Sequence, residues 1–141
     1  MRGDDHVEAE KYLERVKKLD AMILNKQRDY ERWVAVADGG GGDSAGERVQ
    51  ASRNLHRGSD AIGNYIDLER EISSLRQERQ DIIRTIEQLP TEEYCVTYNL
   101  YVEDYSLKEI AYKKHKSYDW VKAKKKRALT IVQSILEEQT S

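Results

Sequence analysis

The sequence predicts an all-α protein: a long antiparallel helical hairpin over residues 1–89, carrying a flexible glycine-rich loop at 38–59, followed by a C-terminal helix-turn-helix over 90–141. Composition, periodicity and charge placement carry this reading. Charged residues reach 35% against 38% hydrophobic, with a single proline, a balance that suits long solvated helices better than a thick sheet core. Apolar residues recur at spacings of three and four in two separate stretches. Cations are concentrated in one short segment near the C-terminal end. The chain's 141 residues leave room for one domain with an appendage and exclude a large multidomain enzyme.

The first helix is expected from about residue 7 to 37. Tyr12, Val16, Leu19, Ile23, Lys26, Tyr30, Trp33 and Ala37 form a seam with a heptad period and one polar intruder, Lys26. Such a rod is roughly 45 Å long at 1.5 Å per residue. Its other faces are charged, with Glu10, Glu14, Lys17, Lys18, Arg28 and Glu31 expected in solvent. The seam needs a cover.

Gly39 to Gly42 break the pattern, and the stretch through Gly58 and Ser59 reads as a mobile connector. A phosphate-binding loop would need Gly-Lys-Ser/Thr opening a helix after a strand, and neither the lysine nor the strand is there. The second helix is expected from Asp60, as N-cap, to Leu89 before Pro90. Tyr65, Leu68, Ile72, Leu75, Arg79, Ile82, Ile86 and Leu89 repeat the seam, with Arg79 as its polar interruption. Two similar rods joined by a loop should fold back on each other. The same seams could instead pair between chains, as a homodimer. Lys26 and Arg79 read as snorkelling stems or register markers.

Thr91 is placed to cap a third helix. Tyr94, Tyr98, Tyr101 and Tyr105 then form an i, i+4, i+7, i+11 stripe, which reads as a core face whose hydroxyls reach water. Further on, Ser106 can cap a short helix with Leu107, Ile110 and Ala111 on one side. Lys114-His115-Lys116 makes a tight polar turn. Ser117 caps a longer helix whose Val121, Ala128, Leu129 and Val132 face inward. In such an arrangement the second helix can enter a DNA major groove by its N-terminal residues.

The net charge of −2 conceals an asymmetry. Residues 105–127 hold nine Lys/Arg against Glu109 and Asp119, whereas residues 1–104 hold 15 basic and 22 acidic side chains. One cationic block is thus attached to an acidic body, a footprint that suits a polyanionic partner.

The run IEQLPTEEYCVTYNLYVEDYSLKEIAYKKHKSYDWVKAKKKRAL, beginning at Ile86, resembles region 4 of housekeeping-type bacterial sigma factors: a tyrosine-rich helix, then S-L-x-E-I-A, then S-Y-x-W-V and a terminal A-L. The whole chain, including Tyr12-Leu13-x-x-Val16-x-x-Leu19-Asp20, Arg48-Val49-Gln50-x-Ser52 and Asp67-Leu68-Glu69-x-Glu71-Ile72, resembles a family of small phage proteins of Gram-positive hosts. Members of that family are taken to be sigma-like or late-gene transcriptional regulators. The resemblance implies a sequence-specific binder of double-stranded promoter DNA that acts with host RNA polymerase. Carried over by position, it puts Tyr118, Asp119, Trp120, Lys122 and Ala123 where the sigma module touches base edges and backbone. Ser117 caps that helix, Lys124, Lys125 and Lys126 follow it, and Lys108, Lys114 and Lys116 complete the expected DNA-binding set. Ala123 offers only a methyl where the sigma pattern often has an amide, Lys114 and Lys116 replace apolar turn residues, and Tyr118 and Trp120 replace cations. The acidic hairpin lacks the aromatic-rich segment that melts promoters, so it is expected to bind a partner or a second copy.

Catalysis is not expected. His6, His56 and His115 are scattered, no Cys/His cluster has zinc-ligand spacing, and the lone Cys95 reads as a small hydrophobe; no cofactor or metal is implied. One unpaired cysteine excludes a disulfide scaffold and suggests a cytoplasmic setting in a bacterial host. The start is polar and Trp33 to Ala37 is too short to cross a bilayer, so no membrane role is expected. Two other readings use the same features: a phage DNA-packaging protein of the small-terminase kind, in which the DNA module usually precedes the arm, and a helical protein-binding adaptor.

Overall fold

A computed structural model describes residues 6–38 and 51–140, and among these all regular structure is helical. The elements are α1 (Val7–Ala37), α2 (Ala51–Glu87), α3 (Thr91–Thr97), a π-helical turn (Tyr98–Val102), α4 (Leu107–Lys114) and α5 (Tyr118–Thr140). No helix among the described residues is long and apolar enough to cross a membrane. Of the expected loop at 38–59, residues 39–50 lie outside the described residues. Its remainder differs from expectation, because α2 begins at Ala51 and Asp60 lies inside the helix instead of capping it. α2 contains two glycines, Gly58 and Gly63, and each interior glycine costs about 1 kcal/mol, which a helix this long can absorb.

The chain divides into two compact units, one formed by residues up to Asp20 together with Glu78 onward, the other by Ala21–Gln77. The division therefore cuts across both long helices. In the first unit, α1 buries Ala9, Leu13, Val16 and Leu19 completely. These four share one face at spacings of four and three, which is the requirement for a continuous contact stripe. The stripe is rotated slightly from the expected one. Leu13 takes the interior position, and Tyr12 sits at its edge, where its hydroxyl lies 2.9 Å from that of the buried Thr85. Opposite lie Ile82, Ile83 and Ile86 of α2 and then Leu89, all buried. Arg15 forks onto both carboxylate oxygens of Glu78, and Arg79 Nε donates to Asp20 at 2.6 Å. Arg79, the expected polar interruption of the seam, is thus an ion-pair member at the seam's margin.

Pro90, with φ −57° and ψ 157°, is the residue preceding α3, so Thr91 is the first helical residue and not its cap. After Thr97 the backbone widens. The Glu103 N–H reaches back five residues to the Tyr98 carbonyl at 3.0 Å, which defines the π turn. Within the expected tyrosine stripe Tyr101 is buried, whereas Tyr94, Tyr98 and Tyr105 are half-buried. Asp104 then takes a left-handed φ of 65° and its carboxylate meets Lys17 at 2.7 Å. At the far end of the unit, α5 returns to α1. The Gln133 side chain accepts from the Ala9 backbone N–H at 3.0 Å, satisfying a first-turn donor that has no partner within its helix.

In the second unit the pairings between α1 and α2 are Lys26 with Glu71 at 2.7 Å, Arg76 with Gln27 at 3.1 Å, and Tyr30 edge-on to Tyr65 at 5.7 Å between ring centres. The partners descend α2 as they ascend α1. Ile72 and Ala61 are buried, but Ile23, Tyr30, Leu68 and Leu75 are only half-covered. Trp33, expected in the seam, is exposed, as are Leu24, Val36, Ile62 and Ile66.

Candidate functional site

The cationic segment is held by local signals that reinforce one another. Ser106 and Glu109 form a reciprocal capping box: the Glu109 N–H donates to Ser106 Oγ at 3.1 Å, and the Ser106 N–H donates to Glu109 Oε1 at 2.7 Å. α4 ends where His115 adopts φ 57° and ψ 42°. This left-handed residue lets the Lys116 N–H close onto the Ala111 carbonyl at 3.0 Å and turns the chain at once. Ser117 starts α5, its Oγ accepting from the Trp120 N–H at 3.0 Å. Between the two helices Ile110, Ala111 and Val121 pack with Val96 of α3, flanked by Leu100, Tyr105, Leu107 and Trp120. Farther along α5, Ala128, Leu129 and Val132 are buried. The inward face of α5 expected from the sequence is the inward face observed.

The adjoining face is exposed. Tyr118, Asp119, Lys122, Ala123 and Lys126, at positions i, i+1, i+4, i+5 and i+8, share one side of α5. Beside them runs a shallow groove of about 400 Å³ lined by Leu107, Asp119, Lys122, Ala123, Lys125, Lys126 and Leu129. Lys122 lies over the Tyr118 ring at 5.4 Å, which stiffens both side chains without neutralising the charge.

The lysines fall into two populations. Lys124 Nζ is 2.8 Å from Glu92 and 3.7 Å from Glu93, and Arg127 Nε is 3.1 Å from the same Glu93 carboxylate, whose side chain is only 5% exposed. Lys125 Nζ is 3.3 Å from Glu10, which also accepts a 2.9 Å hydrogen bond from the Tyr101 hydroxyl. Glu10, expected in solvent, is thereby drawn against α5. The bond from Lys124 holds the Glu92 carboxyl below the usual range, and Glu92 in turn raises the Lys124 ammonium. Burial, reinforced by Glu10, pushes the Tyr101 phenol well up, so it remains a proton donor. Among the described residues, by contrast, no salt bridge joins a carboxylate to Lys108, Lys114, Lys122 or Lys126, whereas Lys116 lies near enough to Glu92 to help hold its carboxyl down.

The expected residues are therefore brought together unequally. Tyr118, Asp119, Lys122, Ala123 and Lys126 form the outward stripe, with Lys108 and Lys116 exposed on α4 and the turn. Lys114 is half-buried. Trp120 is withdrawn: its ring packs on the α4–α5 core with the Lys116 and Lys124 ammonium groups at 5.2 and 5.4 Å. Lys124 and Lys125 face acidic partners. Tyr112, 83% exposed on α4 one turn beyond Lys108, is an exposed aromatic that the motif did not single out. The compensating carboxylates Glu10, Glu92 and Glu93 had no signal in the sequence, being far from α5 along the chain. Cys95 is half-buried, and among the described residues no group of three His, Cys, Asp or Glu could hold a metal ion.

Comparison of the chain with protein-family models, with curated proteins and with solved structures gives no match.

Proposed function

We propose that the chain is a sequence-specific DNA-binding regulator of transcription, in which α4, the turn at His115 and α5 act as a helix-turn-helix of the sigma-region-4 kind. The single observation that carries this reading is the outward stripe of α5, where Tyr118, Asp119, Lys122, Ala123 and Lys126 stand exposed on a capped helix whose other side is fixed in a core. A duplex binder needs such a rigid element with donors, acceptors and cations on one side. On this reading α1 and α2 form a helical hairpin that serves as an arm for host RNA polymerase or for a second copy. On this reading it acts in the cytoplasm of a bacterial host.

Anisotropy of a labelled random-sequence duplex at low salt tests the proposal. The native chain should bind, and Lys122→Glu combined with Lys126→Glu should abolish binding with helicity unchanged. Undiminished binding by that variant would overturn it. A protein-binding adaptor is the second reading, favoured by the exposed Leu24, Trp33, Val36, Ile62 and Ile66 of the second unit. Co-purification of polymerase without any duplex binding would decide for it.

A further inference from the structure

Resting on the duplex-binding reading, we infer that the groove beside α5 selects a thymine and that Asp119 selects an amino-bearing base next to it. The groove is lined by the apolar Leu107, Ala123 and Leu129, by Lys122, Lys125 and Lys126, and by the carboxylate of Asp119. Ala123 projects a single methyl, so nothing of its own fills the space. Of the four bases only thymine presents an apolar group, its C5-methyl, on the major-groove edge. Lys122 and Lys126, which hold no salt bridge among the described residues, suit the phosphates on either side of such a contact, whereas Lys125 is held by Glu10.

Asp119 supplies the second half of the recognition. It is exposed, and no ion pair among the described residues occupies its carboxylate. An ionised carboxylate only accepts hydrogen bonds, so it pairs with cytosine N4 or adenine N6 and is repelled by the acceptors of guanine and thymine. Asp119 and Ala123 are four residues apart, roughly 6 Å along the helix, and successive bases rise about 3.4 Å. The two contacts therefore fall on base pairs one or two steps apart.

Selection from a random duplex library with the native chain should return a thymine within two base pairs of a cytosine or adenine. Replacing that thymine by uracil, which deletes only the methyl, should weaken binding about four-fold. Ala123→Gln, which fills the groove, should abolish the thymine–uracil difference, and Asp119→Asn should shift the selected amino base toward adenine. If uracil binds as well as thymine at every position, or Asp119→Asn leaves the selected sequence unchanged while salt-dependent binding persists, this inference falls and the duplex-binding reading stands. Absence of binding to any duplex overturns both.

Discussion

Two paired substitutions separate the two populations of cation on α5: Lys122→Gln with Lys126→Gln, and Lys124→Gln with Lys125→Gln. Each phosphate neutralised by a protein cation contributes about 0.9 to the slope of log affinity against log salt. With Lys108, Lys114, Lys122 and Lys126 outside any salt bridge among the described residues, the native chain should show a slope near −3.6, and a rise from about 50 to about 200 mM salt should weaken binding about 150-fold. Removing Lys122 and Lys126 should halve the slope to about −1.8, so that the same salt step costs only about 12-fold. Removing Lys124 and Lys125 should leave the slope within about half a unit of native, because Glu92, Glu93 and Glu10 neutralise those ammonium groups before DNA arrives. The second variant should instead melt at lower temperature, having stripped counter-charge from Glu93 and from the carboxylate beside buried Tyr101. Anisotropy titrations across a salt series, with thermal denaturation alongside, make both measurements. Equal loss of slope in the two variants would refute the division of roles.

Glu93→Gln should cost about 1–2 kcal/mol, the value of a charge-assisted bond discounted because Arg127 stays largely hydrated, and should lower Tm by about 3–6 °C in calorimetry. Acidification should destabilise the fold as pH falls below about 4.5. Arg15 and Lys124 hold Glu78 and Glu92 below that ordinary value, so their contribution is complete above it and is lost as the folded-state carboxylates protonate; Glu78→Gln with Glu92→Gln should flatten the acid limb of a denaturation series.

The parts of this architecture that were legible in the sequence are those set by near neighbours. Ser106 with Glu109, and Ser117 with Trp120, act within one turn, and Ile110, Ala111, Val121, Ala128, Leu129 and Val132 lie on faces that helical spacing alone defines. Where the outcome depends on a distant partner, the local pattern misleads. Lys124 and Lys125 look like members of a solvated run until α3 and the start of α1 bring Glu92, Glu93 and Glu10 to them. Glu93 sits in the first turn of α3, where a carboxylate ordinarily faces water, yet its side chain is enclosed. Trp120 follows the same logic in reverse, an aromatic beside base-reading positions that the core claims instead. The π turn has no composition of its own, so nothing in Tyr98 to Val102 announced it.

The bonds from Ala9 to Gln133 and from His6 to Thr130 each span 124 positions. During synthesis, the opening turn of α1 leaves the ribosome long before the groups that complete it exist. Residues 21–77 emerge in the interval, so the second unit can assemble while the first is still half built. A stalled or shortened product ending before Thr130 would therefore carry an unfinished start, and its α1 would be the place where proteases first gain entry.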